Sequence, residues 1–292
     1  MELQWPLIIF TTLVAWSAGV FGAQSLLALK GTGKRAQMPA LIASVVILAV
    51  GGVAVFFHLE HWERIFNGFG HLTSGIAQEL IAVVVVGVLM VAYFVLLRKS
   101  VDGGTVPKWL AGVSLAASAV LVVVMAHSYM VAARPAWDSV LWMLAVVGEA
   151  CALGPATVAL IMAMRGDDLR PAGLPALVGA VANAVLTAAF SAFLQMSAGS
   201  FAEVGNYFDP TRPTSPMADV ASAVAGQAPL LWAGAVAVGA LVPLVAAFAA
   251  KRKGDSASWK LWGIVAITAV LAGAVCLRIV FYELGFSVFM FY

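Results

Sequence analysis

The chain has 292 residues, of which 63% are hydrophobic and 10% charged, with a formal net charge of +2 and a mean hydropathy of +1.00. Soluble domains carry about 25% charged residues, so the composition excludes an ordinary water-soluble globular protein and indicates a surface that faces lipid. Apolar runs of about 20 residues predict transmembrane helices rather than the shorter alternating strands of a membrane barrel.

Eight such runs predict an all-α polytopic membrane protein, organised as a single integral membrane domain over residues 1–292. Most connections are short, so consecutive helices are expected to be antiparallel neighbours. The connection over 197–227 is longer, is rich in Ser, Gly, Pro and Ala, and is predicted to be a loop. The predicted spans cover residues 6–28, 39–59, 76–98, 109–132, 139–164, 172–196, 228–250 and 260–289.

The first run does not resemble a cleavable signal peptide, because it is too long and no basic segment precedes Pro6. Of the sixteen lysines and arginines, twelve lie in the odd-numbered loops, three in the even-numbered loops, and Arg278 inside the last span. The positive-inside rule then places the odd loops in the cytoplasm and both termini outside. In a bacterium this predicts a multi-pass protein of the inner membrane with its even loops in the periplasm.

A weak internal repeat is present in the sequence. Gly19-Val-Phe-Gly22 in the first span resembles Cys151-Ala-Leu-Gly154 in the fifth. The first and fifth spans are each the first span of a group of four. This pattern favours two parallel four-helix halves. The alternative is that it reflects only the small residues that recur in all packed membrane helices.

Polar residues concentrate towards the external ends of the predicted helices. His58 ends the second span and Glu79 begins the third, so adjacent antiparallel helices are expected to hold them at similar depth. A histidine titrates near physiological pH, and a carboxylate near a helix N-terminus is favoured by the helix dipole. The pair is suited to accept protons from a quinol, while the alternative is a hydrogen bond that only ties the helices together. The whole group comprises His58, Glu60, His61, Glu63, Arg64, Asn67, His71, Glu79, His127, Tyr129, Arg134, Trp137, Asp138, Arg278, Tyr282 and Glu283.

Two further ionisable residues, Glu149 and Arg278, lie inside spans and need an explanation. Glu149 is about 15 Å into the fifth span at 1.5 Å per residue, shortly before Gly154-Pro155, and it is either a proton-relay group or a neutral acid bonded to a neighbouring helix. Arg278 needs a partner, for which Glu79, Glu149 and Glu283 are candidates. Cys151 and Cys276 show no CxxC spacing and are predicted to be inert packing residues, so no iron–sulfur cluster is expected in this chain.

Several segments, taken in order, resemble the membrane anchor subunit of dimethyl sulfoxide reductase, the DmsC family. Two features depart from the family pattern: Glu60 and Trp62 stand where Gly and Pro are expected, and Glu149 matches no family position. The segments that carry the resemblance are Trp5-Pro6-Leu7-Ile8-Ile9-Phe10-Thr11, His58-Leu59, Arg64-Ile65-Phe66-Asn67, Glu79, Gly154-Pro155 and Arg278-Ile279-Val280-Phe281-Tyr282.

The resemblance implies a function in anaerobic respiration. Such anchors oxidise menaquinol near the external face and pass electrons to an iron–sulfur subunit, which in turn serves a subunit with a molybdopterin cofactor. His58 and Glu79 occupy the positions of the family's functional histidine and glutamate. The implied quinol-binding set is His58, Arg64, Asn67, Glu79, Arg278 and Tyr282. The quinone type, the direction of electron flow and the terminal substrate of the partner are left open.

Three other functions compete with this interpretation. A di-haem cytochrome b needs axial histidines near both faces, and the cytoplasmic half has none, so no haem is expected, although one external haem through His58 and His127 stays open. A secondary transporter usually has broken helices and polar residues at the midplane of both repeats, and here only Glu149 with Gly154-Pro155 fits. A purely structural anchor leaves His58, Glu79 and Arg278 unexplained.

Overall fold

The computed structural model of the chain describes residues 3–58, 71–198, 206–207, 215–216 and 220–286, with backbone alone at 206–207, 215–216 and 220–221. In these residues eight helices are long and apolar enough to cross a membrane, which confirms the predicted all-α fold with eight spans. Asn206–Tyr207 and Ser215–Pro216 pair antiparallel as two short strands in the connection before the seventh helix.

The helices overlap all eight predicted spans. Glycines with left-handed backbone end two of them, Gly166 after α5 and Gly254 after α7, where the missing Cβ removes the steric penalty of positive φ. The helices are α1 Trp5–Leu29, α2 Gln37–Phe56, α3 Gly75–Lys99, α4 Lys108–Ser128, α5 Val140–Arg165, α6 Arg170–Met196, α7 in the consecutive segments Val220–Pro229, Leu230–Leu241 and Val242–Lys253, and α8 Ser256–Glu283.

The start of α7 differs from the sequence prediction. The loop was expected to run to 227, whereas the helix begins at Val220. Residues 220–227 read VASAVAGQ, and alanine has the highest intrinsic helix propensity. The prediction of a loop here was wrong. Small residues are typical of a loop, whereas the alanines among them favour a helix.

The two halves of the chain repeat one packing pattern. In the first half α1 packs on α2 and α4, and α3 packs on α4; in the second half α5 packs on α6 and α8, and α7 packs on α8. The pairing of α1 with α2 is antiparallel, because Gln37 donates to the carbonyl of Gln24 while Gly51 faces Leu13. This repetition agrees with the predicted pair of four-helix halves.

The halves meet where α1 crosses α5. A Cβ added at Gly154 would overlap the backbone of Gly19, and one added at Gly19 would overlap the carbonyl of Ala150. Beside the crossing, the indole of Trp16 donates a 2.9 Å hydrogen bond to Thr157 Oγ1. Close backbone contact at small residues is the usual basis of helix association in lipid.

The middle of α7 is a π-helical segment that faces α6 and α8. Asn183 of α6, which is buried, donates a 2.9 Å hydrogen bond from Nδ2 to the carbonyl of Gly239. On the α8 side, Gly239 lies against Gly273 so closely that neither position has room for a Cβ. Asn183 thus supplies a side-chain donor to a carbonyl of an irregular helix.

We expect Asn183→Ala to lower the free energy of unfolding by about 1 kcal/mol, the scale of hydrogen bonds between membrane helices. Equilibrium unfolding in lipid–detergent micelles measures this change. Thr268→Ala is the control, since within the described residues the Thr268 hydroxyl bonds to carbonyls of its own helix alone, and the residue is exposed. An equal loss in both variants would contradict the assignment of the effect to the α6–α7 contact.

The loops after α1, α3 and α5 gather at one end of the bundle, called the basic end below. Lys34 Nζ lies 2.7 Å from Asp102 Oδ2, and Arg35 Nη1 donates to the carbonyl of Gly166 at 3.5 Å. The Lys34 ammonium and the Thr105 hydroxyl lower the pKa of Asp102 below its usual value. Because the Lys34–Asp102 pair is half exposed, it positions the two loops relative to each other but contributes little to the free energy of unfolding.

Candidate functional site

The end of the bundle opposite the basic end carries the predicted site residues and is called the polar end. It is formed by the N-termini of α1, α3 and α5 and the C-termini of α2, α4 and α8. Helix periodicity fixes which of their polar residues turn inward. Within the described residues, three predicted site residues are buried here, Glu79, Arg278 and Tyr282, together with Glu149 at a deeper level.

Glu79 lies in the second turn of α3 and faces α4. Gly75, one turn earlier, lies against Ser128 with only 3.0 Å between its added Cβ and the serine, so a glycine allows α3 to approach α4. Ser128 Oγ is 2.9 Å from Glu79 Oε2 and also 2.7 Å from the carbonyl of Met125. Glu79 Oε1 is buried and has no hydrogen-bond partner in the described part of the chain.

Arg278 and Glu149 form an ion pair in the interior of the bundle. Arg278 Nη1 lies 2.7 Å from Glu149 Oε2, and the two side chains are 0% and 3% exposed. Arg278 Nε donates to Thr11 Oγ1 at 2.8 Å, so the pair joins α1, α5 and α8. Of the three acids considered as partners of Arg278, the structure thus selects Glu149 rather than Glu79 or Glu283.

Two tyrosines interact both with this ion pair and with Glu79. Tyr282 is one turn beyond Arg278 on α8 and is 4% exposed, and its phenol interacts with the phenol of Tyr129, the residue that follows α4. Both phenols lie within electrostatic range of Glu79 and of Arg278. Together Glu79, Tyr129, Glu149, Arg278 and Tyr282 are called the buried polar cluster.

Aromatic rings flank the buried polar cluster. Phe281 stacks between Trp142 and Trp137, with ring centroids 3.9 and 4.6 Å away. Trp137 donates its indole proton to the carbonyl of Phe281, and Arg134 lies over the Trp137 ring and donates to the carbonyl of Gly285 at 2.6 Å. This layer ties the loop after α4 to the end of α8, which carries Arg278 and Tyr282.

Sequence reasoning placed Tyr129, Arg134 and Trp137 at this end but did not assign Tyr129 to the site. One signal was available, since Tyr129 continues the helical spacing of the apolar residues Val122 and Met125, three and seven residues along, which predicts that all three share one face. Thr11 and Ser128 were missed because hydroxyl side chains in apolar helices most often bond to their own backbone.

His58 is placed differently from Glu79. It lies in a turn directly after α2, and its side chain is exposed. Among the described residues no hydrogen bond joins His58 to Glu79, so their joint action in proton transfer stays a prediction. Arg64 and Asn67 fall within 59–70, outside the described residues, and their predicted roles at the site stay predictions as well.

An apolar cavity of about 330 Å³ lies between α1, α4, α5 and α6, next to the crossing of the two halves. Hydrocarbon is the natural occupant of such a space in a bilayer. In the part of the chain that the structure describes, no three His, Cys, Asp or Glu side chains gather as a metal site. The cavity is lined by small and aliphatic residues, among them Ala18, Gly22, Ser118, Val122, Cys151 and Gly179.

The fold and the site define a multi-pass helical membrane protein with a buried cluster of ionisable side chains near one end. No protein-family model matches the sequence, and no curated protein matches it. The arrangement of residues therefore carries the functional argument.

Proposed function

We propose that the chain is the membrane anchor and quinol-oxidising subunit of a molybdopterin oxidoreductase complex of the dimethyl sulfoxide reductase type. In this proposal it takes electrons from menaquinol at the periplasmic face of the bacterial inner membrane. It passes them to an iron–sulfur partner during anaerobic respiration. The observation that carries the proposal is the buried polar cluster at the polar end, formed around residues that resemble those of the anchor family.

Quinol oxidation releases two electrons and two protons, so the site must offer proton acceptors close to the membrane surface. Glu79 Oε1 has no hydrogen-bond partner among the described residues, and the exposed His58, directly after α2, offers a second acceptor with access to water. Arg278 and Tyr282 provide donors that can orient a quinol oxygen. The apolar cavity offers space for hydrocarbon such as an isoprenoid tail.

The charge distribution supports the orientation that this function requires. The lysines and arginines of the odd loops lie at the basic end, and the positive-inside rule favours that end in the cytoplasm. The polar end then faces the periplasm, where an iron–sulfur subunit would dock over the even loops. Protons and electrons would both leave on that side, so this route is electroneutral.

Affinity purification from native membranes in mild detergent, followed by mass spectrometry, tests the proposal. We expect an iron–sulfur protein and a molybdopterin subunit to co-purify, and the complex to oxidise a menaquinol analogue. Recovery of the chain alone, under conditions that keep other respiratory complexes intact, would overturn the proposal.

We expect His58→Gln to lower menaquinol-dependent turnover by at least about 100-fold, the scale of a lost general base, while the partner subunits stay bound. Electron transfer from an artificial donor directly to the partner subunits measures whether the complex is intact. His71→Gln is the matched control, because His71 is an exposed histidine at the same end. Full turnover in the His58 variant would contradict the site assignment.

A secondary transporter is the second candidate, favoured by the ion pair of Glu149 and Arg278, because ionisable residues inside spans often mark transport pathways. Substrate-driven uptake into proteoliposomes by the chain alone would support this candidate. A requirement for partner subunits in every activity would argue against it.

A further inference from the structure

The buried polar cluster contains one more acidic group than basic groups. Arg278 is its single cation, and a guanidinium is not deprotonated in proteins. Glu79 and Glu149 are both carboxyls, and both are buried. If both were ionised, the cluster would hold a net charge of −1 in a low-dielectric interior, where an uncompensated charge costs several kcal/mol or more. One proton on either carboxyl makes the cluster neutral.

The geometry around Ser128 is consistent with a proton on Glu79. The serine hydroxyl carries a single hydrogen, yet Ser128 Oγ lies within hydrogen-bond distance of two oxygens, Glu79 Oε2 and the Met125 carbonyl. One hydrogen cannot serve both contacts fully. A protonated Glu79 resolves this, because it donates to Ser128 while the serine donates to the carbonyl of Met125.

A connection between the two acids is also present. Glu149 pairs directly with Arg278, and the phenols of Tyr129 and Tyr282 interact with each other and electrostatically with both Arg278 and Glu79. Within the described residues, these five side chains are the titratable or charged groups that face one another from α3, α4, α5 and α8. The neighbouring α1 contributes the neutral hydroxyl of Thr11.

We propose that the buried polar cluster is a proton-binding site that holds one proton shared between Glu79 and Glu149. Arg278, Tyr129 and Tyr282 couple the two carboxyls, so that a change in the charge of one moves the proton on the other. The site lies between the polar end and the membrane interior, and it binds its proton in the isolated chain with no quinol or partner subunit. The inference therefore stands or fails independently of the proposed function.

Infrared spectroscopy of the purified full chain in lipid, at neutral pH, reads the proton directly through the C=O stretch of protonated carboxylic acids. We expect one such band from the cluster in the unsubstituted protein and its loss in Glu79→Gln. We also expect its loss in Glu149→Gln, because Glu79 then ionises as the sole counter-charge of Arg278. Glu283→Gln, at the half-buried end of the same helix as Arg278, is the control that keeps the band.

A further substitution tests the interaction of the Tyr282 phenol with Glu79. Tyr282→Phe is expected to shift the frequency of the band while leaving it present, because it removes a phenol that interacts with Glu79 but keeps both carboxyls and Arg278. Thermal unfolding of every variant checks that it is folded. In Glu149→Gln, the amide oxygen of glutamine can still accept a hydrogen bond from Arg278. Loss of the band in Glu79→Gln alone would overturn the proposal by showing an independent acid, and absence of any such band in the unsubstituted protein would overturn it by showing two carboxylates.

Discussion

Glu149→Met is expected to lower the free energy of unfolding by about 3 kcal/mol, the lower end of the range for breaking one side of a buried ion pair. The substitution leaves Arg278 fully buried with its charge, since a guanidinium does not lose its proton. Thr11 and the carbonyl of Ala274 still accept hydrogen bonds from Arg278, and ionisation of Glu79 offsets part of the cost. Equilibrium unfolding in lipid–detergent micelles measures the loss.

Removal of the other partner of the ion pair is expected to lower the free energy of unfolding by less. In Arg278→Met, the remaining Glu149 can take up a proton and become neutral, so the loss is limited to the missing hydrogen bonds, about 1–2 kcal/mol. The double variant Glu149→Met with Arg278→Met should recover most of the loss of the Glu149 variant, because apolar residues replace buried ion pairs at little cost. A larger loss in Arg278→Met than in Glu149→Met would contradict this account of the pair.

The helices of this fold were predictable because the bilayer constrains them so strongly. A span must satisfy its own backbone hydrogen bonds and must be about 20 apolar residues long, so hydropathy alone located all eight. The boundary that was misplaced, at Val220, lies where alanines and a glycine make the composition ambiguous between loop and helix. Helix propensity decides whether such a segment is helical, and a hydropathy profile contains no information on helix propensity.

The partners within the site were less predictable than its position. Sequence order and charge placed Glu79, Arg278 and Tyr282 near one end, because the depth of a residue follows from its count along a helix. The choice of Glu149 as the partner of Arg278 depends on the rotation of α5 and α8 about their axes. That rotation is set by close contacts such as Gly263 of α8 against Leu160 of α5, which no local pattern reveals.

Gly154→Ala is expected to lower the free energy of unfolding by about 3 kcal/mol, the upper end of the range for overpacking. The added methyl group would meet the backbone of Gly19 rather than the end of a flexible side chain, so α1 and α5 must separate to admit it. The matched control is Gly87→Ala in the middle of α3, where an added Cβ meets nothing within 4 Å and no loss is expected.

The same substitution is expected to disturb the buried polar cluster, because α1 and α5 carry Thr11 and Glu149, the two side chains that hold Arg278. The carboxylic-acid band of the cluster should therefore shift in Gly154→Ala and stay unchanged in Gly87→Ala. A destabilised Gly154 variant with an unchanged band would show that the crossing of the halves stabilises the fold without positioning the ion pair. An unchanged free energy of unfolding would contradict the close contact itself, since backbone atoms at that separation leave no room for a methyl group.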